Sequence, residues 1–147
     1  MKFVLYLYHK LLYKDLVSFV FYVARYRLVK YNKYDIDELL EPTRIYMEVF
    51  DIIQKYPNLI NGISHITGGG FKDNINRILQ GGLQYKLIDW EFPDIFKWIQ
   101  KYSLFSKDEM LNTFNCGFGM VLIINENYGN LKQIMTEFNL IKIGYIL

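Results

Sequence analysis

The stretch Gly62-Ile-Ser-His-Ile-Thr-Gly-Gly-Gly-Phe71 decides the fold of this chain, because it passes from one type of secondary structure to another. Residues 63–67 form a short extended segment that follows a turn, which is typical of a strand. A triple glycine follows at once, and apolar residues then recur at helical spacing until Gly81-Gly82. The residues of this apolar face are Phe71, Ile75, Ile78 and Leu79. The sequence therefore predicts a strand that leads through glycines directly into a helix.

Further helices are predicted on both sides of this stretch. Pro42 suits the first position of a helix, and Pro57 ends that helix. Pro93 opens another helix, and Ser106 with Glu109 has the spacing of a capping box for a short one. A last helix precedes the C-terminus. The predicted apolar stripes are Tyr46, Val49, Phe50 and Ile53 in the first helix, Ile95, Trp98, Ile99 and Tyr102 in the second, and Leu131, Ile134, Met135 and Phe138 in the last.

Three more segments have the patterns of strands. Residues 85–89 alternate like a half-buried strand, and residues 118–124 form a continuous apolar run, as expected of a strand buried on both faces. The alternation of Ile141, Ile143, Tyr145 and Leu147 predicts a closing strand. Strands interspersed with helices predict an α+β fold with α/β layers, in which helices cover a mixed β-sheet.

Length and composition exclude several classes of protein. The 147 residues fit one ordinary domain with a core, and the 22% of charged residues is near the globular average, which excludes a disordered tail. The net charge of only +2 predicts no basic surface for nucleic acid. A single cysteine, Cys116, excludes a disulfide framework and a thiolate zinc site, and fits a cytoplasmic location. The aromatic content of 18% is attributed to biased base composition rather than to an aromatic ligand-binding face.

The N-terminal segment is apolar, but no membrane span is predicted in it. Charged residues interrupt its apolar runs, so no window reaches the roughly 18 uncharged residues that a spanning helix needs. No uninterrupted apolar region followed by a small-residue cleavage site marks a signal peptide. Leu16, Phe19, Val20 and Val23 have the spacing of an amphipathic helix. A helix packed on the domain or on a partner is favoured over a helix lying on a membrane surface, which its basic residues also permit.

The glycine turn is the one feature of the residue pattern that indicates chemistry. Glycine allows a close backbone approach to a ligand, and the N–H groups at a helix start favour an anion. Thr67 can add a hydroxyl donor, Asn74 lies one turn inside the helix, and His65 is placed to reach the same cleft. The pattern is neither a Walker motif nor a complete dinucleotide fingerprint. A glycine turn without a ligand, and a purely structural His65, therefore stay open as alternatives.

Other chemically capable residues receive structural interpretations. His9 lies in the N-terminal segment and is given no role. Cys116 is interpreted as a small buried hydrophobe, since nothing nearby in sequence supplies a base. Asp89, Glu91 and Asp94 have the chemistry of metal ligands, but their position around a helix start favours capping of its first turn. No metal site is predicted.

Three separated motifs occur in an order that is far more specific than the glycines alone. They are Leu39-Leu-Glu-Pro-Thr-Arg-Ile-Tyr46, Ile63-Ser-His-Ile-Thr-Gly-Gly-Gly-Phe71 and Glu109-Met-Leu-Asn-Thr-Phe-Asn-Cys-Gly-Phe-Gly-Met120. Trp90 and the helix that begins at Pro93 lie between the second and the third. In this order the motifs resemble the C-terminal domain of the phosphoribosylformylglycinamidine cyclo-ligase family, the aminoimidazole ribonucleotide (AIR) synthetases. The resemblance covers residues 35–147, and residues 1–34 form a divergent amphipathic helical segment.

The resemblance implies the fold of that C-terminal domain and a role in purine biosynthesis. The family closes the ring of formylglycinamidine ribonucleotide with ATP, giving aminoimidazole ribonucleotide; ATP is thought to activate the formyl oxygen as a leaving group. Carried over by motif, Thr67, Gly68, Gly69, Gly70 and Asn74 hold an anionic part of this substrate, such as its ribose phosphate. His65 faces the cleft as the catalytic or substrate-orienting group. Arg44 and Asn115 are further candidates for binding substrate or bracing the loop.

The family's N-terminal ATP-binding domain, which also forms its dimer, has no counterpart in the motifs found here. The resemblance therefore implies that ATP and Mg serve the complete family enzyme, and that this chain alone binds no cofactor and is inactive by itself. The implied partners are formylglycinamidine ribonucleotide and either an ATP-binding half or a homodimer partner.

Two other interpretations remain open at this point. The chain can be a non-catalytic truncated remnant or interaction module of the same fold. It can also belong beside formylglycinamidine synthetase, selenophosphate synthetase, thiamin-monophosphate kinase or a hydrogenase maturation factor in the same superfamily. Residues 113–120 and 41–44 favour the cyclo-ligase over these relatives.

Overall fold

The fold is an antiparallel sheet with helices on both faces, seen in a computed structural model that describes residues 3–8 as a strand and residues 44–147 in full. The strands of the described residues are β1 (Phe3–Tyr8), β2 (Ile60–His65), β3 (Tyr85–Leu87), β4 (Met120–Asn125) and β5 (Leu140–Ile146). The helices are α1 (Glu48–Lys55), α2 (Gly70–Ile78), α3 (Asp94–Ser103), α4 (Lys107–Thr113) and α5 (Leu131–Glu137). The expectation of an α+β fold in which helices cover a sheet is confirmed.

The strands form one 5-stranded sheet in the order β2-β4-β1-β5-β3. Each neighbouring pair is antiparallel. The expectation of a mixed sheet is therefore wrong for the described strands. The continuous apolar run before residue 125 arises because β4 is covered by helices on both faces, and such a run does not distinguish a parallel strand from an antiparallel one.

Alternate residues of β4 enter two separate cores, which confirms a strand that is buried on both faces. Val121 and Ile123 pack with the apolar faces of α2, α3 and α4. Leu122 and Ile124 pack on the other face of the sheet with α1 and α5. Because side chains of a strand alternate between the two faces, one strand anchors both helix layers.

The first strand corrects the expectation for the N-terminal segment. Residues 1–34 were expected to be helical, yet Phe3–Tyr8 is a strand that pairs with β4 on one side and with β5 on the other. A run of six apolar residues satisfies a strand and a helix equally well, so periodicity alone does not separate them. The amphipathic helix expected around Leu16–Val23 lies outside the described residues. The expected start of a helix at Pro42 is wrong, because residues 44–46 are not helical and α1 begins at Glu48.

The predicted apolar stripe of α1 is only half right. Tyr46, Val49 and Ile52 are buried, whereas Phe50 and Ile53 are 59% and 42% exposed. The helix has apolar residues on two faces, and only the sheet contacts decide which face is inside. In α3, Ile95, Trp98 and Ile99 are buried as predicted, but Tyr102 is 46% exposed.

The closing strand also departs from simple alternation. Ile143 and Ile146 both pack in the core with α2, α3 and α4, although residues three apart in a regular strand point to opposite faces, and Ile141 is exposed. The pairing of β1 with β5 shifts register between Leu5 and Tyr6, which is the mark of a bulge. An extra residue in one strand reverses the faces of the residues beyond it, so the alternation expected for Ile141, Ile143, Tyr145 and Leu147 is broken.

Several local predictions are confirmed. The side-chain oxygen of Ser106 accepts from the backbone of Glu109, and the Glu109 carboxylate accepts from the backbone of Ser106, which together form the capping box of α4. Phe71 and Ile75 form the buried face of α2. In the part of the chain that the structure describes, no helix has the length and apolarity that crossing a bilayer requires.

Candidate functional site

The glycine turn between β2 and α2 needs glycine at two positions for geometric reasons. Gly69 and Gly70 have φ values of +87° and +55°, which side-chain-bearing residues rarely adopt. The backbone of α4 also passes directly over Gly70: a Cβ there would overlap the carbonyl oxygen of Leu111 and lie 2.7 Å from the carbonyl carbon of Asn112. The third glycine differs, since a Cβ on Gly68 would meet no atom within 4 Å and would point into open space.

The side chain of Asn74 holds this turn in shape from behind. Its amide nitrogen donates to the carbonyl oxygens of Gly70 at 2.7 Å, Gly68 at 3.2 Å and Thr67 at 3.4 Å. The hydroxyl of Thr67 donates to the Asn74 side-chain oxygen at 3.4 Å, and that of Ser64 to its carbonyl at 2.8 Å. Asn74 is only 3% exposed. The structure thus brings Thr67, Gly68, Gly70 and Asn74 together, with Asn74 buried beneath the turn.

The turn presents backbone N–H groups at the start of a nine-residue helix. Within the described part of the chain, the N–H groups of Gly68 and Gly69 donate no hydrogen bond, whereas that of Gly70 donates to the carbonyl of Thr67 at 3.1 Å. Unpaired N–H groups next to the positive end of a helix dipole attract an anion. The two N–H groups favour an anion at this turn, whereas the carboxylate of Asp73, which lies beside Gly69, opposes one.

His65 is the last residue of β2 and lies two residues before Thr67. Its side chain is exposed, and its ring meets the ring of Tyr46 edge to face, with the centroids 5.9 Å apart and the planes at 65°. The guanidinium carbon of Arg44 lies 5.8 Å from the centroid of the same Tyr46 ring, and Arg44 forms an ion pair with Glu48. The structure thereby brings Arg44 and His65, far apart in sequence, to one aromatic side chain.

Asn115 lies in a different turn, the one that leads into β4. It is buried, its side-chain oxygen accepts from the N–H of Gly117 at 3.2 Å, and its carbonyl accepts from Phe118 at 2.9 Å. Residue 119 of this turn also contacts the site, because the N–H of Ile66 donates to the carbonyl of Gly119 at 2.8 Å. Asn115 thus shapes the turn before β4, the strand that pairs with the edge strand β2.

Four residues were interpreted from the sequence as structural, and the structure shows them buried or in ion pairs. They are Cys116, Asp89, Glu91 and Asp94. Cys116 is fully buried, and burial raises the pKa of its thiol, so the interpretation as a small hydrophobe is confirmed. Asp89 pairs with Lys107, and Lys97 contacts Glu91 at 2.6 Å and Asp94 at 3.3 Å. Asp94 lies in the first turn of α3, but the start of this helix has no side-chain cap hydrogen bond, so the expected capping by these carboxylates is wrong. Among residues 44–147, no group of three or more His, Cys, Asp and Glu side chains is placed to hold a metal ion.

A groove of about 550 Å³ opens beside the glycine turn and was not anticipated from sequence. It lies between the first turn of α2, β3 and the start of α4, with Phe71, Lys72, Tyr85 and Lys107 among its lining residues. Burial, and secondly the charge of Asp73, raise the pKa of Tyr85. No motif marks this groove, since its residues come from three separate elements.

Tyr46 and Ser64 are site residues that sequence reasoning did not single out. Tyr46 was assigned only to an apolar stripe, although it is the last residue of the first motif. Its contact with His65 joins positions distant in sequence, and no local pattern reports such a contact.

These elements define an α+β domain that presents a glycine turn, a helix start and an exposed histidine at one edge of its sheet. Residues 22–147 match the family model described as AIR synthase related protein, C-terminal domain. The chain belongs to this family. The match begins at residue 22, ahead of the boundary expected at residue 35.

Curated relatives agree with the family match. The chain is 44% identical over 92 residues to the phosphoribosylformylglycinamidine cyclo-ligase of Bordetella avium, covering 60% of the chain and 26% of the relative. It is 47% identical over 107 residues to that of Geotalea daltonii, covering 70% and 29%. It is 41% identical over 118 residues to that of Carboxydothermus hydrogenoformans, covering 71% and 34%. The chain thus spans about a quarter to a third of the length of these relatives, and the expected resemblance to the C-terminal domain is confirmed.

Proposed function

We propose that this chain supplies the substrate side of a phosphoribosylformylglycinamidine cyclo-ligase, binding formylglycinamidine ribonucleotide for ATP-dependent ring closure to aminoimidazole ribonucleotide. The observation that carries the proposal is the glycine turn, in which, among the described residues, the N–H groups of Gly68 and Gly69 take no part in the hydrogen bonds that hold the turn. The names of the relatives supply the reaction, and the turn supplies a place for the ribose phosphate of the substrate.

The proposed phosphate site depends on a rigid turn. The side-chain amide of Asn74 donates to the carbonyl oxygens of the turn from the buried side. The backbone N–H groups of the turn therefore remain available to the ligand. The hydroxyl of Thr67 donates its single proton to the side-chain oxygen of the same asparagine, so it braces the turn and the backbone N–H groups are the donors for the ligand. A preorganised set of donors binds an anion without the cost of ordering the loop first.

His65 is proposed to face the reacting end of the substrate. It lies two residues before Thr67 on a strand, so its imidazole and the turn are held at a fixed separation. An imidazole can orient the formyl or amidine group by a hydrogen bond, or move a proton there. Arg44 and Asn115 are proposed to brace this region, Arg44 through Tyr46 and Asn115 through the turn before β4.

ATP and Mg²⁺ are proposed to be held elsewhere in the complete enzyme. The described residues offer no group of carboxylates and histidines suited to a metal ion. No step of the reaction is therefore assigned to a metal held by residues 44–147. The proposed partner is an ATP-binding half or a homodimer partner that lies across a cleft from the glycine turn. A cytoplasmic location remains part of this proposal.

The test is calorimetric titration of the purified chain with formylglycinamidine ribonucleotide, with ribose 5-phosphate as the minimal phosphate probe. Gly68→Asp places a carboxylate where no atom lies within 4 Å, so it leaves the fold intact while repelling a phosphate. Gly129→Asp is the matched control, because Gly129 is equally open and lies in the turn before α5. We expect Gly68→Asp to weaken binding of both ligands by about tenfold or more, which is an energy of about 1.4 kcal/mol, and Gly129→Asp to leave binding unchanged.

Equal binding by the two variants would remove the glycine turn from the proposal. If the wild-type chain binds neither ligand, the chain is better described as a non-catalytic module of the same fold. Addition of an ATP-binding half from a relative, with assay of ring closure, then separates a substrate-side domain from such a module.

A further inference from the structure

Tyr46 contacts both His65 and the backbone of Gly119, the residue that precedes β4. It precedes α1, is 9% exposed and packs in the core that lies between α1, α5 and the sheet. We infer that Tyr46 is a positioning residue, whose ring holds the imidazole of His65 in one orientation at the end of β2. The inference rests on the proposed function, in which His65 faces the substrate.

The contact between the two rings has the geometry that aromatic side chains prefer. The centroids are 5.9 Å apart and the planes cross at 65°, in the edge-to-face arrangement. Aromatic rings attract each other in this arrangement because the positive edge of one meets the negative face of the other. The imidazole of His65 is exposed to solvent, so a fixed ring on one side restricts its rotation.

Tyr46 can act in this way because it is itself held on several sides. Its hydroxyl lies against the backbone of Gly119, where a Cβ would overlap the hydroxyl oxygen and lie 3.0 Å from the ring carbon that bears it. Its ring is approached by the guanidinium of Arg44, which an ion pair with Glu48 holds in turn.

Gly119 connects this contact with the glycine turn. Its carbonyl accepts from the N–H of Ile66, the residue between His65 and Thr67. Tyr46 therefore touches the same backbone position that fixes the start of the turn. The orientation of the imidazole is therefore set relative to the glycine turn.

Proton NMR of the purified chain tests the contact directly. The chain has two histidines, so His65→Gln assigns the ring signals of His65 by their loss. We expect nuclear Overhauser cross-peaks between the rings of Tyr46 and His65, and a ring-current displacement of the His65 ring protons. Tyr46→Phe keeps the ring and is expected to preserve the displacement. Tyr46→Leu removes the aromatic ring and is expected to move the His65 ring-proton signals toward those of a solvated histidine.

Val49→Ala is the matched control for loss of packing. Val49 lies in the first turn of α1, shortly after Tyr46, and packs in the same core, so its truncation lowers stability without removing an aromatic ring. We expect its His65 signals to match those of the wild type. Unchanged His65 signals in folded Tyr46→Leu, or an equal change in Val49→Ala, would overturn the inference.

Substrate titration shows whether the positioning serves binding. We expect Tyr46→Leu to weaken the binding of formylglycinamidine ribonucleotide by about 2- to 10-fold, which corresponds to the energy of one aromatic pair. Ribose 5-phosphate, which contacts only the glycine turn, is expected to bind as in the wild type, and Tyr46→Phe is expected to restore the affinity for the substrate. Absence of substrate binding in the wild type would overturn the proposed function, while the NMR signals would still decide the role of Tyr46.

Discussion

The side-chain amide of Asn74 donates to the carbonyl oxygen of Gly70 at 2.7 Å, so α2 is bonded to its own first residue from one turn inside the helix. The same nitrogen lies within 3.4 Å of the carbonyls of Gly68 and Thr67. One buried amide thus fixes most of the carbonyl groups of the turn.

Replacement of Asn74 by Ala is expected to destabilise the domain markedly. It removes the side-chain donor that three carbonyl groups of the turn share, although the Thr67 carbonyl keeps the N–H of Gly70. Loss of such bonds costs about 2–3 kcal/mol in the free energy of unfolding. Urea denaturation followed by circular dichroism measures this loss. Asn76→Ala, on the exposed side of the same helix, is the control and is expected to change stability by less than about 0.5 kcal/mol. Similar losses for the two variants would contradict the role of the amide.

The three glycines of the turn are expected to differ in their tolerance of a side chain. Gly70→Ala places a methyl group against the backbone of α4 at a positive φ, so α2 and α4 must separate. We expect a loss of at least about 3 kcal/mol, or failure to fold. Gly68→Ala meets no atom within 4 Å and is expected to unfold at nearly the wild-type urea concentration. Equal tolerance at the two positions would mean that the helices are farther apart than described.

Acid is expected to weaken the start of α4. Hydrogen bonds from the hydroxyl of Ser106, and then from its backbone N–H, hold the pKa of Glu109 below its usual value. A carboxyl with a lowered folded-state pKa contributes stability above its unfolded pKa, and that contribution is lost as pH falls through the folded value.

Thermal unfolding between neutral pH and about pH 3 measures this contribution, since the interval spans the ordinary carboxyl pKa. Glu109→Gln keeps an acceptor but does not titrate, so its melting temperature is expected to fall less in acid than that of the wild type. Asp108→Asn, which removes the neighbouring carboxylate, is expected to follow the wild-type curve. A Glu109→Gln curve parallel to the wild type would show that the capping carboxylate does not contribute.

The thiol of Cys116 is expected to be unreactive in the native domain. Burial raises its pKa, and a thiol without thiolate character does not attack disulfide reagents. A chromogenic disulfide reagent at about pH 8 is expected to titrate the thiol only after guanidinium chloride is added. Because the chain has a single cysteine, the absorbance reports this one site. Rapid reaction without denaturant would show that the turn before β4 opens readily.

Local features of the site could be predicted from sequence because each depends on residues close together in the chain. The glycines predicted a strand-to-helix turn, and Ser106 with Glu109 predicted a cap that the structure contains. The role of Asn74 was visible only as its position one turn into the helix. Its burial beneath the turn depends on how β2 and α2 pack, which no local pattern records.

Long-range features could not be predicted in this way. The contact between Tyr46 and His65 depends on how the segment before α1 packs against the end of β2. The exposure of Phe50 depends on which of the two apolar faces of α1 packs on the sheet. The strand at Phe3–Tyr8 was hidden because six apolar residues fit a buried strand or a buried helix. Partner choice within a sheet is a property of the whole chain.

The position of β1 has a consequence for synthesis of the domain on the ribosome. This strand lies between β4 and β5, which follow it far along the chain, and without it β2-β4 and β5-β3 share no hydrogen-bonded neighbour. β1 must therefore wait for the synthesis of β4 and β5 before the sheet can close. A nascent chain that has not yet reached β5 presents an open strand edge, which invites pairing with other molecules.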